Sequence, residues 1–198
     1  GGVPEIGLGD GDHRREVLDR HTQQTLLLAA KVADGTQTQP QFVVWPENAS
    51  DLNPYADAQA AHEISAAARA INAPILVGAV IDAPGDPAHV ANVGIVWDPA
   101  SGPGQVYVKT HPVPFGEYVP FRSLLASVIG RFDRIPRDFV AGTSPGVLDV
   151  GPARVADVIC FEVAYDDVVR NAVVGGGRAI VVQTNNATFA GLGQPEQQ

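Results

Sequence analysis

Arg154–Asp167 reads RVADVICFEVAYDD, and the reading of this stretch decides the fold. Val155–Ile159 is a short apolar run with the composition of a buried strand. It leads straight into Cys160, the only cysteine in the chain. Glu162, Asp166 and Asp167 follow, and then Val168, Val169, Ala172 and Val173 recur at helical spacing. A thiol where a strand hands over to a helix sits near unpaired N–H groups and the positive end of the helix dipole, a setting that favours thiolate. The same residue also reads as a structural cysteine, which packs as a small hydrophobe. This stretch alone leaves both readings open.

Composition narrows the field. A chain of 198 residues is long enough for one domain with a sizeable core, and 45% hydrophobic with 18% charged residues is ordinary for an α/β protein. The net charge of −9 excludes nucleic acid as a partner, because such binding needs a cationic stripe to neutralise phosphates. A lone cysteine excludes an internal disulfide and a multi-cysteine zinc site. No run approaches the length of a membrane-spanning helix. The chain has no methionine, begins Gly1-Gly2-Val3-Pro4 and stops in the polar tail GLGQPEQQ. It therefore reads as a single domain, 1–198, excised from a larger protein.

Outward from Cys160, the elements alternate. After a Gly-rich start, a helix is expected from an Asp12 cap to Asp34-Gly35. Gln41–Trp45 reads as a buried strand closed by Pro46-Glu47, and Ala56–Ile71 as a second helix stopped by Asn72-Ala73-Pro74. Strands are expected at Ile75–Ile81, Val90–Trp97 and Gln105–Lys109, separated by turn clusters at 83–87 and 98–104. Thr110–Phe121 is a proline-rich loop, and the residues from Arg122 to Phe132 have helical spacing. Val147–Val150 and Arg154–Ile159 form a hairpin around Gly151-Pro152. A third helix follows Cys160, is stopped by Gly175–Gly177, and leads to a strand at Ala179–Gln183. Helices interleaved with both paired and isolated strands predict a mixed-sheet α/β fold.

Three apolar runs each end on one reactive side chain: QFVVWP at Glu47, QVYV at Lys109 and VADVI at Cys160. Ligands bind beyond the carboxyl ends of strands in open α/β sheets, so the three ends can converge. A carboxylate, an ammonium and a thiol together suffice for acyl transfer. The carboxylate takes the thiol proton, the thiolate attacks a carbonyl, and the ammonium stabilises the oxyanion. Each residue alone reads as an ordinary solvated strand end.

VVWPENA, VYVKTHPVPFGEYVPFR and VADVICFEVAYDD resemble, in order, the three catalytic blocks of the carbon–nitrogen hydrolase (nitrilase) superfamily. PFGEYVPFR after the lysine is similar to the apolipoprotein N-acyltransferase branch. The resemblance runs from about Gly2 to Gly191 and implies an α-β-β-α sandwich, here without the first strand and the last stretch. It implies Glu47 as general base, Lys109 as oxyanion stabiliser and Cys160 as nucleophile. Glu117 and Glu162 match supporting acidic positions, and Phe115, Tyr118, Phe121 and Phe161 fall among the substrate contacts. Two departures are visible: Phe161 stands where tyrosine is usual, and Thr188 where an aromatic residue is common. The branch implies a phospholipid acyl donor and a diacylglyceryl apolipoprotein acceptor. It also implies no cofactor, and a membrane anchor outside this chain with the domain on the extracytoplasmic face. The rivals are a soluble amidase that uses water as second acceptor and a catalytically silent binding subunit.

Phe121, Leu124, Leu125, Val128, Ile129 and Phe132 repeat every three or four residues, with Arg122 and Arg131 flanking. They read either as a core-facing helix or as an interfacial lid among lipid tails. Histidines 13, 21, 62, 89 and 111 lack metal-ligand spacing, so no metal is expected. The sequons at Asn48 and Asn186 read as coincidences.

Overall fold

The computed structural model describes residues 11–114, 116–118 and 137–185. The expected Gly-rich start, Phe115, the segment from Phe121 to Phe132 and Thr188 lie outside them. Two sheets stack between helices, in the α-β-β-α order that the family resemblance implies. The first sheet has the order β1 (Val43–Val44), β2 (Ile75–Ala83), β3 (Asp86–Asp98), β4 (Gly102–Val108). Its β1–β2 pair is parallel and the rest antiparallel. The second sheet has β6 (Ala153–Ile159) between antiparallel β5 (Val147–Val150) and parallel β7 (Ala179–Gln183). Helices α1 (Gly11–Ala33) and α2 (Ala58–Ile71) cover the first sheet, and α3 (Asp166–Val174) lies against β6.

The two-residue period of the strands decides what each face does. Ile75, Val77, Ala79 and Ile81 of β2, with Ala91, Val93, Ile95 and Trp97 of β3, point to the helices and pack with Ile64, Ala67 and Ala68. The alternate residues point the other way. Leu76, Val96 and Tyr107 meet Leu148, Val150, Val155 and Ile159 in a second core between the sheets. Each core indole finds a hydroxyl for its N–H: Trp45 donates to Thr25 and Trp97 to Ser65, both at 3.0 Å.

Several expected boundaries move for identifiable reasons. Asp12 falls inside α1, which begins at Gly11 among the described residues. The second helix starts at Ala58, after Asp57, because the Asp57 carboxylate accepts the Ala60 N–H at 2.9 Å and so caps the helix. The same carboxylate pairs with Arg15 at 2.6 Å and ties α1 to α2. The third strand reaches back to Asp86, because Gly85 at φ 78° makes the hairpin turn tight. No α-helix begins at Cys160. A 3-10 turn, Cys160–Ala164, intervenes, and α3 starts only at Asp166. The cause is Glu162, whose side chain turns inward and accepts the Ile159 N–H at 2.9 Å.

Two facing glycines let the layers meet. Gly78 and Gly94 are cross-strand partners on β2 and β3. A Cβ on Gly78 would lie 2.1 Å from the Pro46 carbonyl oxygen, so the Pro46–Glu47 turn rests on bare backbone. A Cβ on Gly94 would lie 2.1 Å from Asp157 Oδ2, on the opposite sheet. Gly78→Ala is expected to cost about 2–3 kcal/mol in denaturant unfolding. Gly104→Ala, whose Cβ would touch only the Val96 carbonyl at 3.5 Å, is expected to stay within about 0.5 kcal/mol.

Candidate active site

The three strand ends converge. β1 hands Glu47 into the crevice through a turn in which Asn48 adopts φ 56°. Lys109 follows β4, and Cys160 follows β6 with its own φ at 55°, a left-handed backbone that is strained for a residue with a Cβ. That conformation turns the chain sharply at the thiol, where the helix dipole was expected to act.

Lys109 is the centre of the cluster and is almost wholly buried, with 1% exposure. Its ammonium lies 3.1 Å from Glu47 Oε1 and 2.9 Å from Glu117 Oε2. Burial works against its charge, but the Glu47 and Glu117 carboxylates outweigh that and hold its pKa above the usual range. Lys109 therefore carries its positive charge throughout the neutral pH range. Asn92 of β3 completes the arrangement by donating through Nδ2 to Glu47 Oε1 and Glu117 Oε1, both at 2.8 Å. The Val113 N–H holds Glu117 Oε2 at 2.7 Å, and the Asn185 N–H reaches Glu47 Oε2 at 3.3 Å.

The thiol of Cys160 is pushed up, first by burial and then by the Glu47 carboxylate, to which it donates a hydrogen bond. The Thr184 hydroxyl, 3.6 Å from Sγ, and the Lys109 ammonium pull the other way without winning. Near neutral pH the sulfur is a thiol with a carboxylate placed to take its proton.

Glu162 lies behind this cluster and is fully buried. Oε1 accepts from the Thr110 N–H at 2.7 Å, the Thr110 hydroxyl at 2.8 Å, the His111 N–H at 3.1 Å and the Tyr107 hydroxyl at 2.9 Å. Oε2 takes the Ile159 N–H. One carboxylate thus ties the chain after Lys109 to the chain before Cys160. Burial, then the Glu162 charge, raises the Tyr107 pKa well above the phenol range, so Tyr107 stays a donor.

The aromatic residues fall beside the cluster. Tyr118 borders a cavity of about 400 Å³ shared with His111, Pro114, Phe139 and Tyr165. Phe161 is 47% exposed and meets Tyr165 edge-on at 5.9 Å, while Tyr165 stacks on His111 at 4.5 Å. Asn92, Thr184 and Tyr107 were not singled out in the sequence. A single amide inside the apolar run VANVGIVW was the available signal for Asn92. Among the described residues, no three His, Cys, Asp or Glu side chains come together in a group that could hold a metal ion.

This geometry coincides with a family match. Residues 18–198 match the carbon-nitrogen hydrolase family, and the chain belongs to it. The chain is 43% identical over 192 residues to the apolipoprotein N-acyltransferase of Mycolicibacterium smegmatis, covering 96% of this chain and 32% of that one. It is 31% identical over 157 residues to the enzyme of that name from Geobacter metallireducens, covering 79% and 30%. The chain therefore spans about a third of the length of these curated relatives. The fold is also that of an amidase from Nesterenkonia sp. AN1, with a TM-score of 0.61 at 15% identity over 99% of this chain and 69% of that one. A carbon-nitrogen hydrolase from Helicobacter pylori G27 superposes at 0.60, over 91% and 57%.

Two predictions follow from the electrostatics. Because the Glu47 charge raises the Cys160 pKa, Glu47→Gln is expected to shift the pH midpoint of Cys160 alkylation by iodoacetamide downward. The variant thiol should therefore alkylate faster than wild type at pH 7.5; an unchanged or upward-shifted midpoint would contradict the assignment. Glu162→Gln sets an amide N–H₂ against the donors it now receives, and is expected to cost about 2–3 kcal/mol in chemical denaturation.

Proposed function

We propose that the chain is the catalytic domain of a larger, membrane-anchored apolipoprotein N-acyltransferase. The observation that carries this reading is the Lys109 ammonium held between two carboxylates beside a neutral thiol, in a chain 43% identical to an enzyme of that name. Glu47, Lys109 and Cys160 are the reacting groups, and Glu117 orients the ammonium. An ammonium has three N–H donors, and the two carboxylates engage two of them. The third is left for an oxyanion.

The reaction has two halves. A phospholipid ester carbonyl is placed over Sγ, and Glu47 takes the thiol proton as sulfur attacks. The tetrahedral oxyanion is held by Lys109. Its collapse breaks the ester C–O bond, and the leaving alkoxide takes the proton from Glu47 and departs as lysophospholipid. The acyl chain remains on Cys160 as a thioester. In the second half, the α-amino group of a diacylglyceryl-cysteine attacks that carbonyl. Glu47 accepts the amine proton, the C–S bond breaks, and the proton returns to sulfur as the amide product leaves. A neutral resting thiol suits this cycle, since sulfur enters and leaves it protonated.

On this reading acyl chains reach the site from the side of Tyr118, which borders an open cavity with Pro114, Phe139 and Tyr165; exposed Phe161 packs edge-on against that Tyr165. No helix among the described residues is long and apolar enough to cross a membrane. The proposal puts the membrane anchor outside this chain and the domain on the extracytoplasmic face.

The test uses the full-length protein with phospholipid vesicles and a synthetic diacylglyceryl-cysteine peptide. Wild type is expected to accumulate an acyl adduct on Cys160 when the peptide is withheld, and to discharge it when the peptide is added. Cys160→Ala should form no adduct, and Glu47→Gln and Lys109→Met should slow its formation by roughly 10²–10³-fold. Turnover of small amides with no transfer to the peptide would favour a hydrolase that uses water as acceptor.

A further inference from the structure

Three buried oxygens between the sheets lack a well-placed donor among the described residues, and two of them crowd the same glycine. Asp157, three residues before the nucleophile, has 0% exposure, and its carboxyl oxygens have no well-formed hydrogen bond among the described residues, only a weak approach of the neighbouring Val158 N–H. Gln183, the last residue of β7, is equally buried, and its Oε1 also lacks a donor among the described residues. The amide orientation is fixed from its other end, since Nε2 donates to the Trp45 carbonyl at 2.6 Å. Asp157 Oδ2 and Gln183 Oε1 close on the same bare spot: a Cβ on Gly94 would lie 2.1 Å from the first and 2.8 Å from the second. Two buried acceptors facing each other repel, unless one of them carries a proton.

We infer that Asp157 is a positioning residue that keeps its proton in the folded protein and donates it to Gln183 Oε1. The chain of contacts then runs from β6 through Gln183 to the carbonyl of Trp45, two residues before Glu47. It spans the strands that end in Cys160, in Thr184 and in the Glu47 turn. One proton thereby sets the distance between base and nucleophile. Gly94 supplies the space, because any side chain there would displace both groups.

The electrostatics agree with the geometry. Burial, and then the charge of Glu162, push the Asp157 pKa up to about 8, and the Val158 N–H opposes this only weakly. The titratable groups that act on Asp157 among the described residues are Glu162, on the turn after β6, and the Tyr107 phenol of β4. Neither supplies a positive charge. Above about pH 8 the carboxylate forms and faces the Gln183 oxygen, so the Trp45–Glu47 turn loses its tie to β6.

The inference rests on Cys160 being the nucleophile, and its test separates the two claims. Wild type, Asp157→Asn and Asp157→Val are compared from pH 5 to 10 by thermal unfolding and by the burst of p-nitrophenol released when a p-nitrophenyl ester acylates Cys160. Asparagine can still donate to Gln183 Oε1, but it cannot ionise. Asp157→Asn should keep the wild-type burst rate at pH 7 and hold it at pH 9.5, where wild type falls at least about tenfold behind it. Asp157→Val should be slow throughout. The folded pKa lies above the unfolded one, so folded wild type holds a proton that the unfolded chain releases. Its stability relative to Asp157→Asn should therefore fall from about pH 4 to about pH 8 and level off beyond. A wild-type burst whose alkaline limb is unchanged in Asp157→Asn, or an Asp157→Val variant as fast as Asp157→Asn, overturns the inference. Absence of a wild-type burst at every pH overturns the nucleophile reading, and this inference with it.

Discussion

The buried Lys109 ammonium is the constraint on which the rest of the structure depends. A charge with 1% exposure is tolerable only if opposite charges and hydrogen bonds replace its water. Glu47 and Glu117 do so from two separate segments, the β1 turn and the loop after β4. Each carboxylate then needs its own partners, which Asn92, Val113 and Asn185 provide. Removing any one member leaves a buried charge exposed to low dielectric. The cluster is therefore costly to assemble and, once assembled, holds its geometry tightly. That geometry is what acyl transfer needs, since oxyanion stabilisation depends on donors that are already in place.

The sheets carry this cluster by parity. Lys109 and Tyr107 lie on one face of β4, and Asn92 and Gly94 lie on the matching face of β3. A shift of one residue in either register would turn the ammonium and the amide toward the helices, where Ile64 and Trp97 pack. The hydrophobic alternation that forms the two cores thus also aims the polar groups. Packing and chemistry share one register, so the site cannot be rearranged without unpacking the sheets.

Much of this was legible in the sequence, for reasons that differ by residue. The apolar runs before Lys109 and Cys160 stop at those residues, as β4 and β6 do, so these ends could be read; before Glu47 only Val43–Val44 of the expected Gln41–Trp45 pair as a strand, and β4 starts earlier than expected, at Gly102. The hairpin at Gly151-Pro152 and the helix stop at Asn72 announced themselves through backbone chemistry, with φ 59° at Gly151 and 50° at Asn72. The 3-10 turn after Cys160 could not be read in this way, because it follows from where the Glu162 carboxylate finds its donors in the chain after Lys109. Asn92 was hidden for a related reason: nothing local distinguishes an amide that serves two distant carboxylates from one that merely interrupts a strand. Asp157 is the one charged residue inside the apolar run VADVI, and nothing local shows that Gly94 of the opposite sheet and Gln183 of the neighbouring strand come up against it.

A strand-to-helix junction favours thiolate, but at Cys160 that pull is outweighed, as expected of a thiol that gives its proton to Glu47. Cys160 sits on a strained backbone at the end of β6, buried, beside a carboxylate that holds its pKa up. A permanent thiolate would be open to alkylation and oxidation whenever the site is empty. In the proposed reaction, a thiol whose base is already hydrogen-bonded to it would become nucleophilic only as an electrophilic carbon approaches and the oxyanion begins to form near Lys109. The ammonium compensates the charge of Glu47 in the resting site, and under the proposed mechanism it would also take up the new negative charge on the substrate oxygen. Its position between two carboxylates would let it do both without fixing the thiol as a thiolate. The same proposal gives Glu117 a part beside Glu47. If Glu47 is protonated in mid-reaction, the ion pair of Glu117 with Lys109 still balances the buried charge and keeps the ammonium in place.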